Sequence, residues 1–358
     1  MFSKFEWMRA KLTPGAMAPF KDVVFDERKF TRAMSWEPAT TRYVVFFTPR
    51  SGSSRLTDLA VRTKALGDPG ECFNPAFLPS IGQAYSARSM EEYVPLLLRH
   101  RQTRGVFGCE VTHMHVVANY GNGQAFLDAL KPTQTVWLLR EDIVAQAVSV
   151  SRMMQTKVSH SVTADEGAIA KAESVFTYEP KVIRNVIKRM RWMEEGTEAL
   201  IREAGLNPMR LSYEKAVAMK PRRLMVLLGT HVGVRPRQMD LEAIESDHKK
   251  VSGDKSNAFA ERFRAENPDL MARIDEERAP MLAAHAEAQA AMMPGARGPD
   301  ARGPNAKGPN AKGPGARGPN ARGPNAKGPN ARGPNAKNRA GKGPNARPPG
   351  RPKPGPTD

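Results

Sequence analysis

The tightest constraint in this sequence is a change of character within a dozen residues. Tyr43-Val44-Val45-Phe46-Phe47 is an unbroken run of β-prone residues, and Thr48-Pro49-Arg50-Ser51-Gly52-Ser53-Ser54 follows at once. A continuous apolar run of that length predicts a strand buried on both faces of a parallel sheet. Pro49 sets φ for a turn, and Gly52 lets the backbone come close to a ligand. Ser53 or Ser54 is placed to cap a helix over residues 56–66. Strand, loop and helix in that order form an anion cradle, because the first-turn N–H groups and the positive end of the helix dipole attract phosphate or sulfate. Arg50 adds a full charge with a fork that fits oxyanions. The spacing is not G-x-x-x-x-G-K-[ST], and no lysine precedes the hydroxyl pair. A Ser/Gly turn with one arginine also joins strand to helix in α/β proteins without binding anything, so the remaining motifs have to decide.

Charge supports an anionic ligand once the chain is divided. The 358 residues carry a formal charge of +18, but residues 291–358 hold 14 Lys/Arg against 2 Asp/Glu. Twelve of the excess positive charges therefore lie there, and six remain for residues 1–290. From Pro294 the sequence is a pentapeptide array, G-P-N-A-[KR], whose period fits neither collagen nor a solenoid. With almost no large apolar side chain it cannot offset its chain entropy, so a disordered tail is expected, with salt-sensitive affinity for nucleic acid or an anionic membrane surface. The domain reading is an extension over 1–40, an α/β domain over 41–290 and the tail over 291–358. In the extension, the spacing of Phe2, Phe5 and Trp7 predicts one face of a short helix against the body or a partner. The two cysteines, Cys72 and Cys109, are too few for a disulfide framework or a four-ligand zinc site. With no signal-peptide core and no apolar run of ~20 residues, a cytoplasmic location is expected.

Further along, Gly67-Asp68-Pro69-Gly70-Glu71-Cys72-Phe73 is irregular backbone of the kind that builds sites at the carboxyl ends of parallel strands. Taken alone, Glu71 reads more readily as an exposed loop charge than as a site residue. Residues 85–100 read as helix, 105–111 as a short strand, 119–130 as helix and 134–139 as the next buried strand. His113 and His115 sit at strand spacing, which puts both on one face. A metal pair there lacks a third ligand, so the spacing favours a substrate hydrogen bond from His113 or His115. After the strand comes Arg140-Glu141-Asp142-Ile143-Val144-Ala145-Gln146-Ala147-Val148-Ser149-Val150-Ser151-Arg152. Gln146, Ser149 and Arg152 step by three along one helical face, with Arg140 at its mouth. Residues 167–204 read as a long helical stretch broken at Pro180, with apolar positions 182, 186, 190 and 193 on one side. Residues 208–214 read as a short strand running into a helix.

These motifs resemble the Stf0-type sulfotransferases, the group that includes trehalose sulfotransferase. The order Arg50-Ser51-Gly52-Ser53-Ser54 is similar to the 5′-phosphosulfate loop of that chemistry. A helix followed by G-[DE]-P-x-E-x-F resembles the family turn whose Glu takes the proton of the acceptor hydroxyl, here Glu71. The string R-x-D-x-V-x-Q-A-V-S-x-x-R-x-x-Q-T resembles its 3′-phosphate segment. That likeness implies Arg140 and Ser149 on the 3′-phosphate, with Gln146 and Arg152 supporting helix and substrate. Tyr213-Glu214 stands where sulfotransferases share a Y-E pair, and Met193-Glu194-Glu195-Gly196 recurs as well. In the late basic segment Lys250 and Lys255 occupy arginine positions, and Phe259 a tryptophan position. Two departures stand out: Glu110 where the family has Lys, and Ser159 where it has Trp.

The resemblance, over residues 42–265, implies a P-loop-like three-layer α/β sandwich with a parallel sheet. It implies transfer of a sulfuryl group from 3′-phosphoadenosine 5′-phosphosulfate to a hydroxyl of a sugar or glycolipid. Glu71 and Arg50 are the catalytic residues of that reading. Arg50, Ser51, Gly52, Ser53, Ser54, Arg140, Ser149, Lys250 and Lys255 hold the donor, and Glu110, His113, Gln146 and Arg152 lie toward substrate. No metal is required, and a homodimer is compatible with the reading. Two alternatives stay open at this point: a nucleotide-dependent kinase of the same fold, and a non-catalytic binding protein working through its basic tail.

Overall fold

The computed structural model describes residues 19–158, 166–248 and 253–292. In chain order the elements are α1 (Glu27–Met34), β1 (Thr41–Phe47), α2 (Ser53–Arg62), α3 (Leu78–Tyr85), α4 (Met90–His100), β2 (Gln102–Thr103) and β3 (Val106–Val111). Then follow α5 (His113–Tyr120), α6 (Gly123–Leu130), β4 (Gln134–Leu139), α7 (Ile143–Thr156), α8 (Glu166–Val175) and α9 (Pro180–Glu203). The last are β5 (Met209–Ser212), α10 (Tyr213–Ala218), α11 (Pro221–Val232), α12 (Asp254–Glu266) and α13 (Pro268–Ala291). Phe2, Phe5, Trp7, Ser159, Lys250 and the pentapeptide tail lie outside the described residues.

The sheet runs in the order β2-β3-β1-β4-β5. Central β1 pairs in parallel with β3, from Thr41↔Val106 to Phe46↔Val111, and with β4, from Tyr43↔Gln134 to Phe47↔Leu138. Strand β5 continues the parallel sheet beyond β4, and short β2 lies antiparallel on β3. The chain crosses from β1 to one neighbour and then back past it to the other. The direction of winding thus reverses beside β1, and the crevice at the carboxyl ends there is where such sheets receive ligands.

Burial explains the unbroken apolar run of β1. Val44 and Phe46 join one core with Tyr93, Leu97 and Phe126, while Tyr43, Val45 and Phe47 join another with Leu56, Leu59, Leu224 and Leu228. Helices thus cover both faces, and every residue from Tyr43 to Phe47 is buried. Phe20, Ala33 and Ala39, N-terminal to β1, belong to the first of these cores. A third core joins Ile143, Ala147 and Val150 of α7 to Ile183, Ile187 and Met190 of α9 and Phe263 of α12.

Local chemistry moves several helix boundaries from where the sequence predicts them. Helix α2 begins at Ser53, not residue 56, and Gly52 is its N-cap, so neither Ser53 nor Ser54 caps it and no side-chain cap hydrogen bond is made. The segment 85–100 is two helices, because Ser86 turns left-handed at φ 56° and Ser89 caps α4 through the N–H of Glu92. The single helix expected over 119–130 is likewise two, α5 and α6, separated at Gly121 and capped afresh by Asn122. His113 and His115 lie on α5 and not on a strand, because the Thr112 side chain caps a helix there; the shared face expected of them does not exist. The break before Pro180 is present, with Pro180 in the first turn of α9, where its missing N–H costs nothing.

Gly52 has little backbone latitude. Its φ is +85°, and a Cβ placed on it would lie 2.7 Å from the Tyr213 ring. We expect Gly52→Ala to destabilise the protein by about 1–2 kcal/mol for the left-handed backbone alone, with the crowding added. A urea titration reads this as a lowered midpoint; an unchanged midpoint would contradict the assigned loop geometry.

Candidate functional site

The carboxyl ends of β1 and β4 bring two sequence-distant arginines together. Arg50, in the loop after β1, holds φ +67°, a strained conformation for a residue with a side chain. Its Nε donates to Ser149 Oγ on α7 at 3.1 Å, and Arg140 at the end of β4 reaches the Arg50 carbonyl with Nη1 at 3.5 Å. Gln146 ties the loop to α7, its Nε2 donating to Thr48 Oγ1 and to the Pro49 carbonyl, each at 2.8 Å. The Y-E pair works from the far side of the crevice. The Tyr213 ring lies under the Arg140 guanidinium, 4.7 Å from its centroid, and also borders Gly52. Glu214 accepts from the N–H groups of Glu141, at 3.0 Å, and Asp142, at 3.4 Å.

This crevice is electropositive and short of acceptors. Burial, and after it the nearby Arg140 charge, pushes the Arg50 guanidinium below its ordinary value, with Arg152 adding to the effect. Arg152 is buried and faces Glu173 of α8, Nε to Oε2 at 3.3 Å. Among the described residues, Ser51 Oγ, Gln146 Oε1, Arg140 Nε, and Arg152 Nε and Nη2 are buried with no hydrogen-bond partner. Such groups cost about 1–3 kcal/mol each unless something satisfies them. Of these, the donors Ser51 Oγ and Arg140 Nε, beside a helix start that no side chain caps, fit an anionic ligand with several acceptor oxygens, while the acceptor Gln146 Oε1 does not.

The carboxylates sit on the other side of the same loop, toward β3. The Glu110 N–H donates to the Gly70 carbonyl at 3.1 Å, which fastens the Glu71 turn to the strand. Glu71 is half-buried and its Oε2 accepts from Asn74 Nδ2 at 2.7 Å. Glu110 is buried, pairs with Val45 in the sheet register, and accepts from the Thr57 hydroxyl on α2. Burial is the main cause that raises its carboxyl to about 8, with the Glu71 charge adding to it and the Thr57 hydrogen bond opposing. Glu110 is therefore mostly neutral at pH 7, and the crevice does not gain the negative charge that its sequence implies.

Residues 100–266 match the family model for Stf0 sulphotransferases. The chain is Stf0-like over that span. A curated relative, trehalose 2-sulfotransferase of Mycobacterium tuberculosis (strain ATCC 35801 / TMC 107 / Erdman), is 24% identical over 275 residues, which covers 65% of this chain and 97% of that protein.

The residues singled out by the Stf0 likeness do not all converge. Arg50, Ser51, Gly52, Arg140, Gln146 and Ser149 line or brace one crevice, while the Ser53 side chain hydrogen-bonds Glu110. Arg152 stands behind it on α7 and adds to the field at Arg50. Lys255 is directed elsewhere, its Nζ donating to the Glu173 carbonyl at 2.8 Å. His113 packs edge-on against Trp192, ring centroids 4.8 Å apart, and leaves Nδ1 without a partner among the described residues. His115 is buried, its Nδ1 accepting from the Thr112 N–H, and burial pushes it down to about 3, so it stays neutral. Among the described residues, no group of three or more His, Cys, Asp and Glu is gathered as metal ligands, and no helix is long and apolar enough to cross a membrane. Sequence reasoning missed Thr57, whose one sequence signal is its place one turn inside α2. It also missed Arg278 of α13, for which the chain offers no local signal at all.

The Glu110 carboxyl makes stability depend on pH. Its folded value, about 8, lies above the ordinary 4.5, so the native state holds the proton more tightly than the unfolded chain. The contribution is complete below pH 4.5 and is lost as pH rises through 8. Glu110→Gln should therefore flatten the decline in stability across that window, measured by denaturant titration at a series of pH values. An identical decline in the variant would show that Glu110 does not carry it.

Proposed function

We propose that this protein transfers a sulfuryl group from 3′-phosphoadenosine 5′-phosphosulfate to a hydroxyl of a saccharide or glycolipid. The observation that carries the reading is the single crevice where the β1 loop, with its uncapped helix start, meets Arg140 and Ser149 of the β4–α7 segment, lined by buried polar atoms that lack partners. A nucleotide with phosphates at both its 3′ and 5′ positions matches that layout. The N–H groups after Ser51 and the Arg50 charge serve the 5′ end, and Arg140 with Ser149 serves the 3′-phosphate. The saccharide acceptor class is supported by the relative whose name specifies trehalose.

In the reaction the acceptor oxygen attacks sulfur as the bond from sulfur to the 5′-phosphate oxygen breaks. Glu71 takes the acceptor proton, and the bisphosphorylated nucleotide leaves with the electron pair. Arg50 and the helix start stabilise charge that grows on the leaving phosphate, which works best when the donors are already in place. A neutral Glu110 supports this scheme, since a second carboxylate beside Glu71 would repel the donor. The P-loop-like class of the fold belongs to the same reading, supported by the parallel sheet and the loop after β1.

Two measurements test it. Glu71→Gln should lower turnover by roughly 10²–10⁴-fold while adenosine 3′,5′-bisphosphate still binds, as read by calorimetry and by transfer of a radiolabelled sulfuryl group. Full turnover in that variant would show that Glu71 is not the base, whereas full biological activity without any transfer would favour a non-catalytic platform. Incubation of the purified protein with labelled donor and a cell lysate should put label in the saccharide or lipid fraction. Absence of label from every fraction, with the donor bound, would remove the enzyme reading.

A further inference from the structure

The carboxyl end of β4 is held by a residue far down the chain that no motif points to. Arg278 on α13 is buried, its side chain 3% exposed. One edge of its guanidinium grips Glu194 of α9, Nε to Oε2 at 3.1 Å and Nη2 to Oε1 at 2.9 Å. The other edge donates to two successive backbone carbonyls, Nη2 to Arg140 at 2.7 Å and Nη1 to Glu141 at 2.5 Å. Glu194 is itself fully buried and also accepts from Arg191 Nη1 at 3.0 Å.

These carbonyls belong to the turn between the end of β4 and the start of α7, and a buried carbonyl without a donor is costly. Glu214 takes the N–H groups of residues 141 and 142 in the same turn. The backbone under Arg140 is thus held by its carbonyls from one side and its N–H groups from the other. We propose that Arg278 is a positioning residue for the nucleotide's 3′-phosphate: by clamping the Arg140 and Glu141 carbonyls against Glu194, it aims the Arg140 side chain into the crevice before the ligand arrives. The inference rests on the donor reading above. It adds that donor selectivity depends on a residue of α13, beyond the 100–266 span matched by the family model.

The decisive quantity is a ratio of affinities in the full chain, adenosine 3′,5′-bisphosphate against adenosine 5′-monophosphate, both by calorimetry. In Arg278→Lys a point charge replaces the fork that spans two carbonyls and a carboxylate. We expect the preference for the bisphosphate to shrink by roughly tenfold to a hundredfold, with affinity for the monophosphate nearly unchanged. A residue that merely supports folding would lower both affinities together and leave the ratio intact, and that result overturns the inference. Should Arg278→Lys fail to fold, Glu194→Gln, which loosens the clamp from behind, carries the same expectation and the same refutation. If the unaltered protein shows no preference for the bisphosphate, the donor reading itself falls and this inference with it.

Discussion

Two guanidinium groups, Arg50 and Arg140, are held close together at the ends of adjacent parallel strands, and like charges in a partly buried crevice repel one another. The cost is visible at Arg50, whose charged form is disfavoured by burial and by Arg140, and whose backbone is left-handed as well. Strain of this kind persists only where the surroundings over-determine it. Here they do. Gln146 binds the loop after β1 to α7, Ser149 takes the Arg50 Nε, Tyr213 lies beneath Arg140, and Glu214 and Arg278 hold the backbone of the β4–α7 turn.

Preorganisation of that sort has a chemical use. A site that pays for its charge repulsion during folding need not reorganise when an anion binds, which is the advantage of donors already in place. The family likeness and this geometry are separate observations, and the proposed donor draws on both. A different part of the molecule, the side of the loop that faces Glu71, carries the proposed acceptor chemistry.

There the substitution of Glu110 for the lysine of the family resemblance changes the local charge less than its formal value implies. In the sheet register its side chain meets Thr57 on α2, and burial with a neighbouring carboxylate keeps it largely protonated at neutral pH. A neutral carboxyl both donates and accepts a hydrogen bond, whereas an ammonium only donates. The exchange therefore alters how this side of the crevice addresses its ligand without filling it with negative charge.

The local features were legible in the sequence. The apolar run of β1, the turn residues after it, the strand before Arg140 and the break before Pro180 depend on neighbours within a few positions, and propensity and periodicity report those. Where capping chemistry competed, the periodicity misled. Thr112 begins a helix at His113, and Gly52 takes the capping place assigned to the serines, because one hydrogen bond at a chain turn outweighs a weak alternation pattern. Arg278 was invisible for another reason. The buried stripe of α13 carries Arg278, His285 and Gln289 beside Ile274 and Met281, so its inward face does not read as apolar. The partners that make this burial tolerable lie 84 and 137 residues away in the chain. The sequence alone determined the central buried strands and the turn-forming loop after β1. Only the tertiary structure decided that the two arginines share one crevice and what clamps them, since strand order and long-range satisfaction of buried polar groups leave no trace in local patterns.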